Sequence, residues 1–128
     1  MINDAYNANP QSMTAAVETL ASMKCNGNRI AFLGDMFELG SAEKSGHVQV
    51  GKAVAKNNID YLICVGKLSQ EICNAAIKEG MDQTHVFFFG SVSDAKEKLL
   101  EIATKDDLVL FKASNGMKFL DLVKELEV

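Results

Sequence analysis

The chain has 128 residues, 48% of them hydrophobic and 23% charged, which is enough apolar side chain for one folded domain and too much for a disordered tail. With 13 Lys and Arg against 17 Asp and Glu, the formal charge is −4, so no general basic field exists to hold a nucleic-acid backbone. No stretch approaches the roughly 20 apolar residues of a membrane helix, and Met1-Ile2-Asn3-Asp4 lacks the regions of a signal peptide, so a soluble, cytoplasmic protein is expected.

In chain order, short apolar runs alternate with amphipathic segments, a β-α pattern repeated five times. Residues 1–6 read as the end of a first strand. Asn9-Pro10 then marks a helix start, because Asn can cap free N–H groups and Pro suits the first helical position. That helix carries Met13, Ala16, Val17 and Leu20 on one face. The second strand runs over 29–33 and stops at Gly34-Asp35; a loop through Gly40 leads to Ser41 as cap, then to a helix with Val50, Val54 and Ala55 inward. The third unit is a strand over 61–65, then Gly66 and a helix with Leu68, Ile72, Ala75 and Ala76, closed by Gly80. The fourth is a strand over 85–89, then Gly90 and a helix capped by Ser93 with Ala95, Leu99 and Ile102 inward. A strand over 108–111, a loop over 112–116 and a closing helix with Phe119, Leu122, Val123 and Leu126 complete the pattern. The inner strands lack polar alternation, as strands covered on both faces do. The expected fold is therefore an α/β, three-layer α/β/α sandwich around a mostly parallel, Rossmann-like sheet, in a single domain over 1–128. Cys25, Cys64 and Cys73 are an odd set without CxxC spacing and read as reduced, mostly buried thiols.

In such a sheet, ligands bind outside the carboxyl ends of the strands, where loops meet helix N-termini. Polar residues gather in three of those loops. In Asp4-Ala5-Tyr6-Asn7-Ala8-Asn9-Pro10, Asp4 can accept bonds from a ribose, Tyr6 can stack, and Asn7 and Asn9 offer amides where a helix dipole favours an anion; Asn9 as a plain N-cap and Asn7 as a turn residue is the simpler reading. In Gly34-Asp35-Met36-Phe37-Glu38-Leu39-Gly40 two carboxylates sit between glycines, suited to a charged substrate or simply solvated, and His47 on the next helix can reach this loop or serve packing alone. In Lys112-Ala113-Ser114-Asn115-Gly116-Met117 the backbone amides and the ammonium suit a carboxylate or phosphate, against an ordinary strand-end lysine. No Ser-His-Asp set, zinc-ligand spacing, GxGxxG or GxxxxGK[ST] is present, and no metal site is expected within the chain.

In order and spacing, these three stretches resemble the C-terminal domain of the Mur ligase family, over almost the whole chain. The resemblance implies a Rossmann-like domain excised from a three-domain cytoplasmic enzyme of peptidoglycan (cell wall) synthesis. It further implies that the enzyme adds D-alanyl-D-alanine to UDP-N-acetylmuramoyl-tripeptide while ATP becomes ADP and phosphate, with the N-terminal domain gripping the UDP end. The central domain of the same polypeptide would supply the phosphate-binding loop and the Mg2+ ligands. By the same resemblance Asp4, Tyr6, Asn7 and Asn9 lie on the nucleotide side, and Asp35, His47, Lys112, Ser114 and Gly116 face the acyl phosphate and the incoming amino component. Ala113 and Asn115 stand where the family usually has glycine and arginine, which removes one bidentate carboxylate partner. Alone, the chain is expected to be inactive and to bind ATP weakly, with no catalytic residue of its own and no nucleic-acid or membrane partner. The alternative is a flavodoxin-like binding or receiver-type signalling module; a receiver, however, needs an aspartate after its third strand, where Val65-Gly66 stand. A small NAD-binding regulator lacks its glycine fingerprint.

Overall fold

The structure, a computed structural model, describes the backbone of residues 2–3 and all of residues 9–113. Five strands, β1 (Ile2–Asn3), β2 (Arg29–Gly34), β3 (Tyr61–Val65), β4 (Val86–Phe89) and β5 (Leu108–Lys112), form one sheet in the order β1-β5-β2-β3-β4, and every pairing is parallel. Four helices connect them: α1 (Pro10–Ser22), α2 (Glu43–Lys56), α3 (Gln70–Lys78) and α4 (Val92–Ile102). The closing helix expected after β5 lies outside the described residues.

Side chains of successive strand residues point to opposite faces, and both faces are covered. Ala31, Leu33, Leu62, Cys64 and Leu110 pack with Met13, Val17 and Leu20 of α1, Val50 and Val54 of α2, and Ile72 and Ala76 of α3. On the other side Ile30, Phe32, Ile63, Val65, Val109 and Phe111 pack with Ala95 and Leu99 of α4. The sandwich is thus three layers, as the uninterrupted apolar strands require. Cys64 and Cys73 are buried free thiols and Cys25 a half-buried one; burial pushes the Cys64 thiol well above its ordinary value, and its neighbour Cys73 adds to the shift.

The helix start at Asn9-Pro10 is realised as a capping box: Asn9 Oδ1 accepts the Ser12 N–H at 2.8 Å and Ser12 Oγ accepts the Asn9 N–H at 3.1 Å. Asn9→Ala should therefore cost about 1 kcal/mol, read as a lower denaturation midpoint at unchanged slope; a midpoint that does not move would show the cap to be idle.

Two other cap assignments are corrected. Ser41 caps nothing, because Gly40–Ala42 form a 3-10 turn and α2 begins from Ala42 without a side-chain cap. Ser91 caps α4 in place of Ser93: its extended backbone lets Oγ accept the Asp94 N–H at 3.2 Å, whereas Ser93 is already helical. On α2 Ala53 is buried and Ala55 only half-buried. Leu68 precedes α3 in a turn, and His85 belongs to a 3-10 turn before β4. β4 is an edge strand whose Phe88 is 40% exposed, so it is covered less fully than its apolar run suggests.

Candidate functional site

The strand order determines where a ligand crevice can form. From β2 the chain moves outward to β3 and β4, then returns to place β5 on the other flank of β2. The carboxyl ends of β2 and β5 therefore lie side by side at the point where the winding reverses, the position at which open α/β sheets bind ligands. Lys112, the last residue of β5, is in register with Leu33, so the start of the 112–116 loop lies against the start of the 34–40 loop. Lys112 is a strand residue, one position longer than the expected strand, and it is only 2% exposed.

Asp35 leaves the end of β2 and turns toward the neighbouring β3-α3 connection. Its Oδ1 accepts the Ser69 N–H at 2.7 Å, and the Leu68 N–H also donates to the carboxylate. Ser69 Oγ in turn donates to the Gly66 carbonyl at 2.7 Å, closing the turn. Gly66 adopts φ +102°, and a Cβ there would stand 2.6 Å from both Asp35 oxygens, so glycine is required by conformation and by contact. Asp35 thus serves as the anion at the head of α3, which has no side-chain cap of its own. Burial pushes its carboxyl above the ordinary value; the Ser69 and Leu68 amides oppose that rise, and Glu43 adds to it.

Met36 is the last buried residue before the loop turns outward; Phe37, Glu38 and Gly40 are exposed, and Glu38 and Gly40 both take left-handed backbone at φ +61° and +57°. His47 reaches this loop, as expected, but from beneath. It is fully buried in the first turns of α2; its Nε2 accepts the Met36 N–H at 3.0 Å and its Nδ1 lies 2.6 Å from the Glu43 carbonyl. A backbone N–H can only donate and a carbonyl only accept, so these partners assign the neutral ring with its proton on Nδ1.

The first and second motif loops also meet. A Cβ on Gly46 would stand 2.7 Å from Pro10 Cγ and 3.0 Å from Leu39 Cδ1, so the bare glycine seats the head of α1 and the end of the 34–40 loop on one point of α2. Ser69 and Gly46 were not among the expected site residues, and Gly66 was expected only as the turn after the third strand, at a crevice position. Their signal was the glycines themselves, one after a strand and one inside a helical pattern, where a glycine marks close approach. Asn9 is placed at the head of α1. Asp4, Tyr6, Asn7, Ser114 and Gly116 lie outside the described residues. Among the described residues no group of three or more His, Cys, Asp or Glu could hold a metal ion, and no helix is long and apolar enough to cross a membrane.

Comparison with known proteins adds to this geometry. The family described as Mur ligase, glutamate ligase domain, matches residues 1–115. The UDP-N-acetylmuramoyl-tripeptide--D-alanyl-D-alanine ligase of Bacillus subtilis is 40% identical over 126 residues, covering 98% of this chain and 27% of the relative. A crystal structure of MurF from Acinetobacter baumannii superposes with a TM-score of 0.78 at 27% identity, covering 96% of this chain and 26% of that one. The MurF ligase of Thermotoga maritima, solved in complex with ADP, shares the fold with a TM-score of 0.74 at 22% identity, over 94% of this chain and 26% of that one. The chain thus spans about a quarter of the length of the relatives it matches.

Proposed function

Because the chain belongs to the Mur ligase family, we propose that it works as the C-terminal domain of a ligase that adds D-alanyl-D-alanine to UDP-N-acetylmuramoyl-tripeptide, at the expense of ATP, in cell wall synthesis. The observation that carries this reading is the place of the 34–40 loop: at its start Leu33 stands in register with Lys112 at the winding reversal, and at its end Leu39 converges with Pro10 on Gly46. One loop on the nucleotide side and two on the amino-component side are what a domain needs if it is to bring two reactants together.

In this reading the tripeptide carboxylate takes the γ-phosphoryl group of ATP and becomes an acyl phosphate. The dipeptide amine adds to the acyl carbon, and the tetrahedral intermediate loses phosphate to leave the amide. The chain's own share is positioning: Asp4, Tyr6, Asn7 and Asn9 meet the nucleotide, while Asp35, Lys112, Ser114 and Gly116 shape the side that receives the dipeptide. Closure of the domain over the central domain orients amine and acyl phosphate and keeps water from that mixed anhydride. Mg2+ belongs to the central domain in this scheme. Among the described residues no group of three or more His, Cys, Asp or Glu could hold it.

The reading is tested by joining the chain to the N-terminal and central domains of such a ligase and following phosphate release that depends on D-alanyl-D-alanine. Ligation is expected in the assembled enzyme, with Asp4→Ala raising the KM for ATP about tenfold, the effect of losing one ribose hydrogen bond to a charged acceptor. An assembly that folds but never ligates overturns the function, and an Asp4→Ala enzyme with unchanged ATP dependence overturns the nucleotide assignment.

A further inference from the structure

Resting on the assignment of the 34–40 loop to the amino component, we propose that His47 is a positioning residue for the dipeptide, acting through the Met36 amide and not by touching substrate. Full burial removes the ring from any ligand. Its two nitrogens are both committed inside the protein, one to the loop and one to its own helix. What the ring controls is the point at which the chain leaves the core: Met36 is fully buried, Phe37 is 42% exposed, and the tip beyond it bends through two left-handed residues.

The direction of the tip depends on that exit. A loop anchored only at β2 could pivot about Met36, because the 3-10 turn that follows, Gly40–Ala42, begins without a side-chain cap. The imidazole removes that freedom. It is a short, planar strut whose donor end is fixed to the Glu43 carbonyl in the first turn of α2 and whose acceptor end meets Met36. Gly46 completes the seat, since the missing side chain lets Leu39 and Pro10 rest against the same turn. Loop tip and α1 head are thereby registered on one rigid helix, and the amino-component side keeps a constant distance from the nucleotide side. An ångström of drift at such a place misaligns the amine with the acyl carbon.

Two measurements test this. On the 128-residue chain, nitrogen NMR is expected to show His47 as a neutral ring protonated at Nδ1, with a scalar coupling from the Met36 N–H across the hydrogen bond to Nε2. A ring protonated at Nε2, or a Met36 amide that exchanges as fast as an unprotected peptide, overturns the strut. In the assembled ligase, His47→Ala is expected to raise the KM for the dipeptide about tenfold with the KM for ATP within about twofold of the parent, and His47→Gln, whose amide offers one acceptor and one donor, to recover most of the loss. Equal changes in both KM values, or no rescue by glutamine, overturn the positioning role. An assembly that never ligates defeats the proposed function alone, because the NMR result judges the strut without it.

Discussion

Gly51→Ala is expected to destabilise the domain by about 2 kcal/mol, although alanine is the better helix former. Gly51 is a buried residue in the middle of α2, facing α3. A Cβ there would collide with the Ile72 carbonyl oxygen and stand 2.7 Å from Ala75 Cβ and 3.1 Å from the Ala76 amide. Two of these three neighbours are backbone, so no rotamer change relieves the clash and the helices must separate. Helix propensity favours alanine by about 1 kcal/mol, whereas forcing extra volume into a packed contact costs about 1–3 kcal/mol and more where backbone must move. The packing term wins, and it spreads to Val54, Ile72 and Ala76 in the same core. For a domain of this size the melting temperature should fall by roughly 7 °C. Lys52→Ala, next in sequence and exposed, should leave it within about 1 °C. A Gly51→Ala protein as stable as its parent would mean that α2 and α3 are not this close.

Asp35→Ala is expected to cost about 2 kcal/mol at neutral pH, and Asp35→Asn distinctly less. Alanine leaves the Ser69 and Leu68 amides at the head of α3 without their acceptor, and a buried donor without a partner costs about 1–3 kcal/mol. It also relieves the desolvation of the carboxylate, which limits the total. Asparagine keeps an acceptor oxygen for Ser69 and discards the charge. The pH dependence separates the two effects. Because burial raises the Asp35 pKa from 3.8, the folded protein binds more protons than the unfolded chain between that value and the raised one. Stability from this group therefore grows as pH falls through that window and is lost as pH rises above it. Denaturant midpoints measured across the acid range should show this slope in the parent and lack it in Asp35→Asn. An unchanged slope would remove Asp35 from the buried position described here.

The difference between legible and hidden features follows the range of the interactions that decide them. The Asn9-Pro10 start, the face Met13, Ala16, Val17 and Leu20, and the span of β3 could be read because each depends on spacing within a few residues. Ser41 and Ser93 misled because any serine before an amphipathic stretch satisfies the same local rule; the backbone angle that selects Ser91 is not visible in the residue type. His47 was seen to be within reach of the second loop, yet nothing in a single helical histidine tells that both its nitrogens are taken inside the core. Asp35 carried a carboxylate to a strand end, but its donors come from residues more than thirty positions on, at Leu68 and Ser69.

By itself, then, the amino-acid sequence determined the alternation of strands and helices and the order of the three loop motifs, because parallel strands buried on both faces must be apolar throughout and helices must show a 3.6-residue period. Only the tertiary structure decided that β5 lies between β1 and β2, so that Lys112 stands beside Leu33. It alone decided that Asp35 heads α3, that His47 holds Met36, and that Pro10 and Leu39 share a seat on Gly46. Those contacts join residues far apart in the chain, and the strand order that brings them together depends on which long-range burial wins, a choice that no local pattern of side chains encodes.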